Sequence, residues 1–160
     1  MKRIIGIDPG LVHTGWGIIE AEGNARRYVA SGAIHPNTKD PLPERLLTIF
    51  DELQKIAKDF APTEAAIEWT FVNKNPTSTL LLGHGRAAAI TSLAKAGLSV
   101  AEYEPTIIKK AIVGSGSADK DQIIRMLTIL LPAAKPKTAD EADALAVALT
   151  HANTSAILKR

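Results

Sequence analysis

Acids stand at three places in this chain where an acid is costly unless it is used. Asp8 follows directly on the apolar run Ile4-Ile5-Gly6-Ile7, and Glu68 follows Ala65-Ala66-Ile67. Each ends a short apolar segment of the kind that forms a buried strand, at the carboxyl edge where α/β proteins commonly place ligands. The third place is Asp140-Glu141-Ala142-Asp143, at the start of a helical pattern. Residues three apart share a helix face, so Asp140 and Asp143 point the same way and Glu141 elsewhere. Glu141 has its own explanation: with Thr138 it spells a capping box. The helix dipole also favours an acid at Asp140, but poorly explains Asp143, a turn further in beside Ala142, Ala144 and Leu145.

Asp8, Glu68, Asp140 and Asp143 together would suit two-metal phosphodiester hydrolysis. Mg²⁺ takes hard oxygen ligands and leaves part of its shell to water and substrate phosphate. Two such ions about 3.5–4 Å apart clamp the attacking and leaving oxygens of an in-line displacement, and their charge balances the carboxylates. Without metal the acids repel, and some hold protons. On the residues alone, unrelated surface acids explain the pattern equally well, because the convergence of distant residues is not written in one chain.

The elements that must position these acids follow from apolar periodicity and turn residues. Arg3–Asp8, Gly15–Glu20 and Tyr28–Ile34 read as strands of an antiparallel meander, with a turn at Glu22-Gly23-Asn24. Pro43 opens an amphipathic helix to about Phe60. Ala65–Glu68 is a short strand, 69–76 an exposed loop, and Thr77–Ala96 a long helix stopped by Gly97. Leu98–Tyr103 is a fifth strand, followed by helices at Ile107–Val113, Asp119–Leu131 and about Ala139–Ala152. Strands first, then helices alternating with strands, is an α/β order compatible with a ribonuclease-H-like architecture.

Composition bounds the rest. The 160 residues favour one domain, 1–160, and 46% apolar with 22% charged residues is a globular balance. The absence of cysteine excludes disulfides and thiolate chemistry. No apolar run approaches the ~18 residues of a membrane helix, and a cytoplasmic protein without membrane contact is expected. A net charge of +2 permits a polyanionic partner without demanding one. Lys109, Lys110 and Lys120 flank the loop Gly114-Ser115-Gly116-Ser117, where a lysine can close over a phosphate as a point charge. Phe71 lies in the polar stretch 70–76, where an exposed aromatic can stack on bases, while Asn73, Lys74 and Asn75 offer hydrogen bonds to phosphate or base. Trp69 reads as a packing residue. Gly83, Gly85, Ala87, Ala88 and Ala89 would let a second helix approach closely. His13, His35, His84 and His151 lack metal-ligand spacing.

Five segments carry a specific likeness: GIDPG at 6–10, TGWG at 14–17, AIEWTFVNKN at 66–75, VGSGSADK at 113–120 and ADEADALAVALTH at 139–151. Together, in this order and nearly end to end, they resemble the bacterial RuvC family of Holliday junction resolvases. The resemblance implies a ribonuclease-H-like fold with a mixed five-stranded sheet flanked by helices, a homodimer, and Mg²⁺-dependent paired cutting of a four-way DNA junction that leaves 5′ phosphates. The family's catalytic, metal-holding acids fall on Asp8, Glu68, Asp140 and Asp143. Asp140 keeps an all-carboxylate set where some members have histidine, which favours Mg²⁺, with Mn²⁺ able to substitute. The family's lysines fall on Lys109 and Lys120, the latter catalytic, and Phe71 gains a base-contact role. Dimerisation around the helix 77–96 and cooperation with the branch-migration proteins RuvA and RuvB are also implied. Trp69, where Gln or Glu is common, and LGHGRA at 82–87 depart from the family pattern. The alternative is a ribonuclease-H-like nuclease acting on RNA or hybrid substrates.

Overall fold

The structure, a computed structural model, describes residues 1–70 and 74–157, the last three by their backbone alone. Strands β1 (Lys2–Asp8), β2 (Thr14–Glu22) and β3 (Ala25–Ile34) are followed by α1 (Leu42–Phe60), β4 (Glu64–Glu68), α2 (Pro76–Lys95), β5 (Val100–Tyr103), α3 (Pro105–Val113), α4 (Lys120–Leu130) and α5 (Ala139–Ile157). The elements match those expected, with α5 running past Ala152 and β5 starting later than Leu98. Gly23, Gly97 and Gly114 all take positive φ, at the β2–β3 turn and after α2 and α3; each supplies the left-handed conformation that side chains disfavour.

The sheet order is β3-β2-β1-β4-β5. The first three strands form the antiparallel meander, whereas β4 lies parallel to β1 and β5 parallel to β4. Ile7 pairs with Ile67, so Asp8 and Glu68 leave the sheet side by side at the same edge. Strand alternation then sorts the side chains. Ile4 and Ala66 join the core under α3, α4 and α5, while Ile5, Ile7 and Ile67 join the core under α1 and α2. Asp8 and Glu68 continue the α5 face.

What brings α5 to that edge is the absence of side chains beneath it. A Cβ on Gly6 would lie 2.2 Å from the Ala144 carbonyl oxygen, one on Gly15 2.2 Å from that of Asp140, and one on Gly17 2.7 Å from Leu145 Cδ2. These glycines pave a groove into which the helix backbone settles, and the groove sets the height of Asp140 and Asp143 over Asp8. Filling it is costly because backbone cannot move aside as a side chain can. Gly15→Val is expected to destabilise the protein by about 2–3 kcal/mol as an overpacked core position, read as a lowered melting temperature, and to displace the first turn of α5. A wild-type melt would show that α5 does not sit where described.

Candidate active site

Each acid reaches the site for a local reason. Asp8 and Glu68 are the last residues of neighbouring parallel strands. Asp140 and Asp143 occupy one face of the first turns of α5, whose buried stretch Ala144–Ala148 anchors it against β1 and β2. The four acids thus come together from three remote parts of the chain, as their mutual electrostatics show. Burial pushes the Asp8 carboxyl up from 3.8 to about 8, and the charges of Glu68, Asp143 and Asp140 reinforce the shift; Asp8 holds its proton toward Glu68. Glu68 is also raised, first by burial and then by Asp143, against the pull of Asp8, Lys109 and Lys120. Burial raises Asp143, with Lys120 opposing and Asp140 adding.

The basic residues divide. Lys120 Nζ stands 4.0 Å from Asp143 Oδ2. Lys109 and Lys120 join Glu68 and Asp143 in lining a cavity of about 310 Å³, whose remaining wall is mostly apolar: Pro105, Ile108, Ala118, Ile123 and Ala146. Asp119 caps α4 through a reciprocal box with Gln122, which fixes the helix start that carries Lys120. Lys110 is exposed on α3 and does not line this cavity. Lys74 is exposed just ahead of α2, whose N-cap is Asn75, accepting from the Thr77 and Ser78 N–H groups. Phe71 and Asn73 lie outside the described residues.

Glu141 departs partly from the expected capping box. Its backbone N–H does donate to Thr138 Oγ1 at 3.2 Å. Its carboxylate, however, accepts from the Lys137 N–H at 3.2 Å and from Ser31 Oγ at 3.0 Å, the latter on β3. It therefore ties the start of α5 to the sheet, a buried role that the local motif could not reveal. Among the histidines, His151 is a structural residue, placed between Tyr103 Oη and Glu64 Oε2 at 2.9 Å each; His13 and His35 face each other through their Nδ1 atoms at 2.6 Å.

The donor set fits a hard divalent cation in kind. It is wholly carboxylate, and three of its members retain protons beyond their ordinary range, chiefly through burial and then through the charges of the neighbouring acids, which Lys109 and Lys120 only partly offset. As they stand, no three acids or histidines among the described residues form a cage that could hold an ion; Lys120 supplies part of the missing charge.

Residues 4–151 match the family model for the crossover junction endodeoxyribonuclease RuvC. The chain belongs to the RuvC family. A RuvC from Rhodopseudomonas palustris (strain BisA53) is 57% identical over 151 residues, 94% of this chain and 87% of the relative. A solved Thermus thermophilus RuvC in complex with Holliday junction substrate superposes with a TM-score of 0.92 at 28% identity, covering 98% of this chain and 96% of that one. A second Thermus thermophilus RuvC structure gives 0.88 at 29% identity, covering 97% and 96%. The mixed five-stranded sheet and its flanking helices are thus the ribonuclease-H-like fold of RuvC structures.

Proposed function

We propose that this chain resolves four-way DNA junctions by paired, metal-dependent hydrolysis of two strands. The observation that carries the reading is the gathering of Asp8, Glu68, Asp140 and Asp143 at one sheet edge, beside two lysines, in a RuvC chain. Asp8, central to the set, with Glu68, Asp143 and Asp140 around it, would hold two Mg²⁺ ions, for which Mn²⁺ can substitute. When bound, such ions lower the pKa of an attacking water and neutralise a departing oxygen. The chain's own residues do the rest. Lys120, with an exposed side chain on a capped helix start, swings from Asp143 to a phosphate oxygen and stabilises the charge that develops there. Lys109, which lines the same cavity and acts on Glu68, adds a second positive charge. The apolar wall of the cavity excludes water beside the scissile phosphate and receives the sugar of the adjoining nucleotide. Lys74 and Lys110 supply backbone contacts that position without reading sequence. Phe71 and Asn73 are assigned to bases near the branch.

Two-fold symmetry in the junction calls for two copies of the site, and α2 offers a face for a second copy. Leu80 is 64% exposed and Leu81 38%, and a Cβ at Gly83 would meet nothing within 4 Å. The same helix buries Gly85, Ala89 and Leu93 on its other side, Gly85 against Gly10 and Leu11, and Ala89 and Leu93 in the core shared with α1 and the sheet. A helix apolar on both sides is built to be covered twice. Gly83→Arg is expected to leave the melting temperature of the monomer intact, since the space is open, while converting a dimer to a monomer in analytical ultracentrifugation and ending paired cutting. A dimer unchanged by this variant would place the interface elsewhere.

Residues 1–160 are read as one nuclease domain, since both hydrophobic cores share the one sheet. Among the described residues no helix is long and apolar enough to cross a membrane, and a cytoplasmic setting accords with DNA as substrate. Cooperation with RuvA and RuvB belongs to the same reading and rests on the family alone. The test is a cleavage assay with Mg²⁺ on a four-way junction, a linear duplex and an RNA–DNA hybrid of the same sequence. Symmetric nicks with 5′ phosphates, confined to the junction, are expected; equal cutting of the hybrid would favour a nuclease for RNA or hybrid substrates.

A further inference from the structure

Two features that stand apart in the sequence meet in the fold. Trp69, the residue after Glu68, lies under Arg86 of α2, whose guanidinium carbon is 4.9 Å from the centre of the indole ring. Arg86 in turn is ion-paired with Glu102. Glu102 pairs in register with Ile67, so all three side chains belong to the α2 side of the sheet, opposite Glu68. The Trp69 backbone is fixed as well: its N–H donates to the Tyr103 carbonyl at 2.8 Å, carrying the β4–β5 ladder one residue beyond Glu68.

The ring so held is not buried. Trp69 is 44% exposed. The other tryptophan, Trp16, packs on Phe60 with ring centroids 5.8 Å apart and closes over Gly32, whose Cβ would lie 2.7 Å from the indole. Packing explains Trp16. It does not explain an indole supported by a guanidinium, with the guanidinium's charge offset by a carboxylate, and left open at the edge where the acids gather. Glu68 and Trp69 leave that edge on opposite faces, one turned to the phosphate chemistry and the other to whatever lies across the edge from it.

We propose that Trp69 is a substrate-positioning residue, a stacking platform for a DNA base unstacked at a branch point, held in place by Arg86 and Glu102. An aromatic ring stacks on any base because every base has a π face, and an adjoining arginine strengthens such sites. A continuous duplex offers no free base face, whereas a branch does. The platform therefore favours branched over linear DNA and sets the strand in register with Glu68. The inference rests on the junction reading above and goes beyond it by adding a second aromatic contact to the one assigned to Phe71, on the face of the β4 end opposite Glu68.

Trp16→Phe leaves Trp69 as the sole tryptophan, since the chain has 2. In this variant, with Asp8→Asn added to prevent cutting, a four-way junction is expected to quench the indole emission and a linear duplex of the same sequence to leave it unchanged. Trp69→Gln in the otherwise unaltered chain is expected to raise the junction KM about tenfold, as loss of one stacked base implies, with kcat changed less and the melting temperature held. Trp69→Phe should restore most of the KM. Emission unaffected by a junction that binds, or an unchanged KM in Trp69→Gln, would overturn the proposal and return the ring to packing. A wild-type chain that cuts no junction would instead overturn the resolvase reading, which the emission measurement does not depend on.

Discussion

Asp8→Asn is expected to abolish junction cleavage and, in metal-free buffer at pH 8, to raise the melting temperature. The two effects have one cause. Asp8 stands where Glu68, Asp143 and Asp140 all act on it, and burial plus their charges push its carboxyl up to about 8. Ionising it without a cation is therefore unfavourable in the fold and free in the unfolded chain. Asparagine keeps the shape and removes the charge. With each pKa unit worth about 1.4 kcal/mol, a shift of this size amounts to a few kcal/mol. At roughly 2–4 °C per kcal/mol for a domain of this length, the gain is on the order of 10 °C or more. Cleavage goes the other way: loss of a central metal ligand removes several kcal/mol of transition-state stabilisation, about 10³-fold or more in rate at 1.36 kcal/mol per decade. Junction binding, carried by phosphate contacts, should persist and weaken steeply with salt. A variant that cuts at the normal rate, or that melts lower than wild type without metal, would remove Asp8 from the centre of the site.

Such a site is legible in sequence only up to a point. Ile4–Ile7 ending in Asp8 and Ala65–Ile67 ending in Glu68 announce two strands whose last residue is an acid, because a period of two and a buried apolar run leave few other readings. That these strands are neighbours is a matter of topology, which local pattern does not carry; the alternation of helices and strands implies parallel pairing, and only the family likeness implies a full fold. The helix 77–96 was visible from its length and its stop at Gly97. Its two-sided character was not, since Gly83 and Gly85 look alike until one is seen against Gly10 and Leu11 and the other against open space. Gly6, Gly15 and Gly17 look in sequence like ordinary members of strands and motifs, yet their role is to admit the backbone of a helix more than a hundred residues away. Glu141 illustrates the same limit: a capping motif was written next to it, but Ser31, which claims its carboxylate, is remote in sequence. Trp69 departs from the family pattern and Arg86 lies within the segment 82–87 that also differs from it, and the contact between the two side chains is not written in either stretch.

The pH dependence of the metal-free protein follows from the same carboxyls, and its sign can be worked out. Asp8, Glu68 and Asp143 all keep protons in the fold to higher pH than in the unfolded chain, chiefly through burial. Between their unfolded values near 4 and the folded value of about 8 for Asp8, the native state binds more protons, so stability falls as pH rises. The opposite end of the sheet adds an acid limb. His151 is held below its ordinary value by burial, and Glu64 below its own by Lys2 and His151, although burial opposes that. A depressed group contributes stability above its unfolded pKa that is lost as pH falls, so this cluster weakens in acid. Stability without metal should pass through a maximum in mildly acidic solution and decline toward pH 9. Added Mg²⁺ takes the place of the protons and acts on the alkaline limb alone. At a hundredfold excess over its dissociation constant, the stabilisation is about 2.7 kcal/mol, a rise of roughly 5–10 °C at pH 9 and far less at pH 5, where protons compete. Cleavage should climb over the same range. Differential scanning calorimetry across pH 5 to 9, with EDTA and with Mg²⁺, checks the point. A melting temperature in EDTA that rises steadily to pH 9, or a Mg²⁺ effect as large at pH 5 as at pH 9, would mean that the acids at the β1 and β4 ends do not share one site.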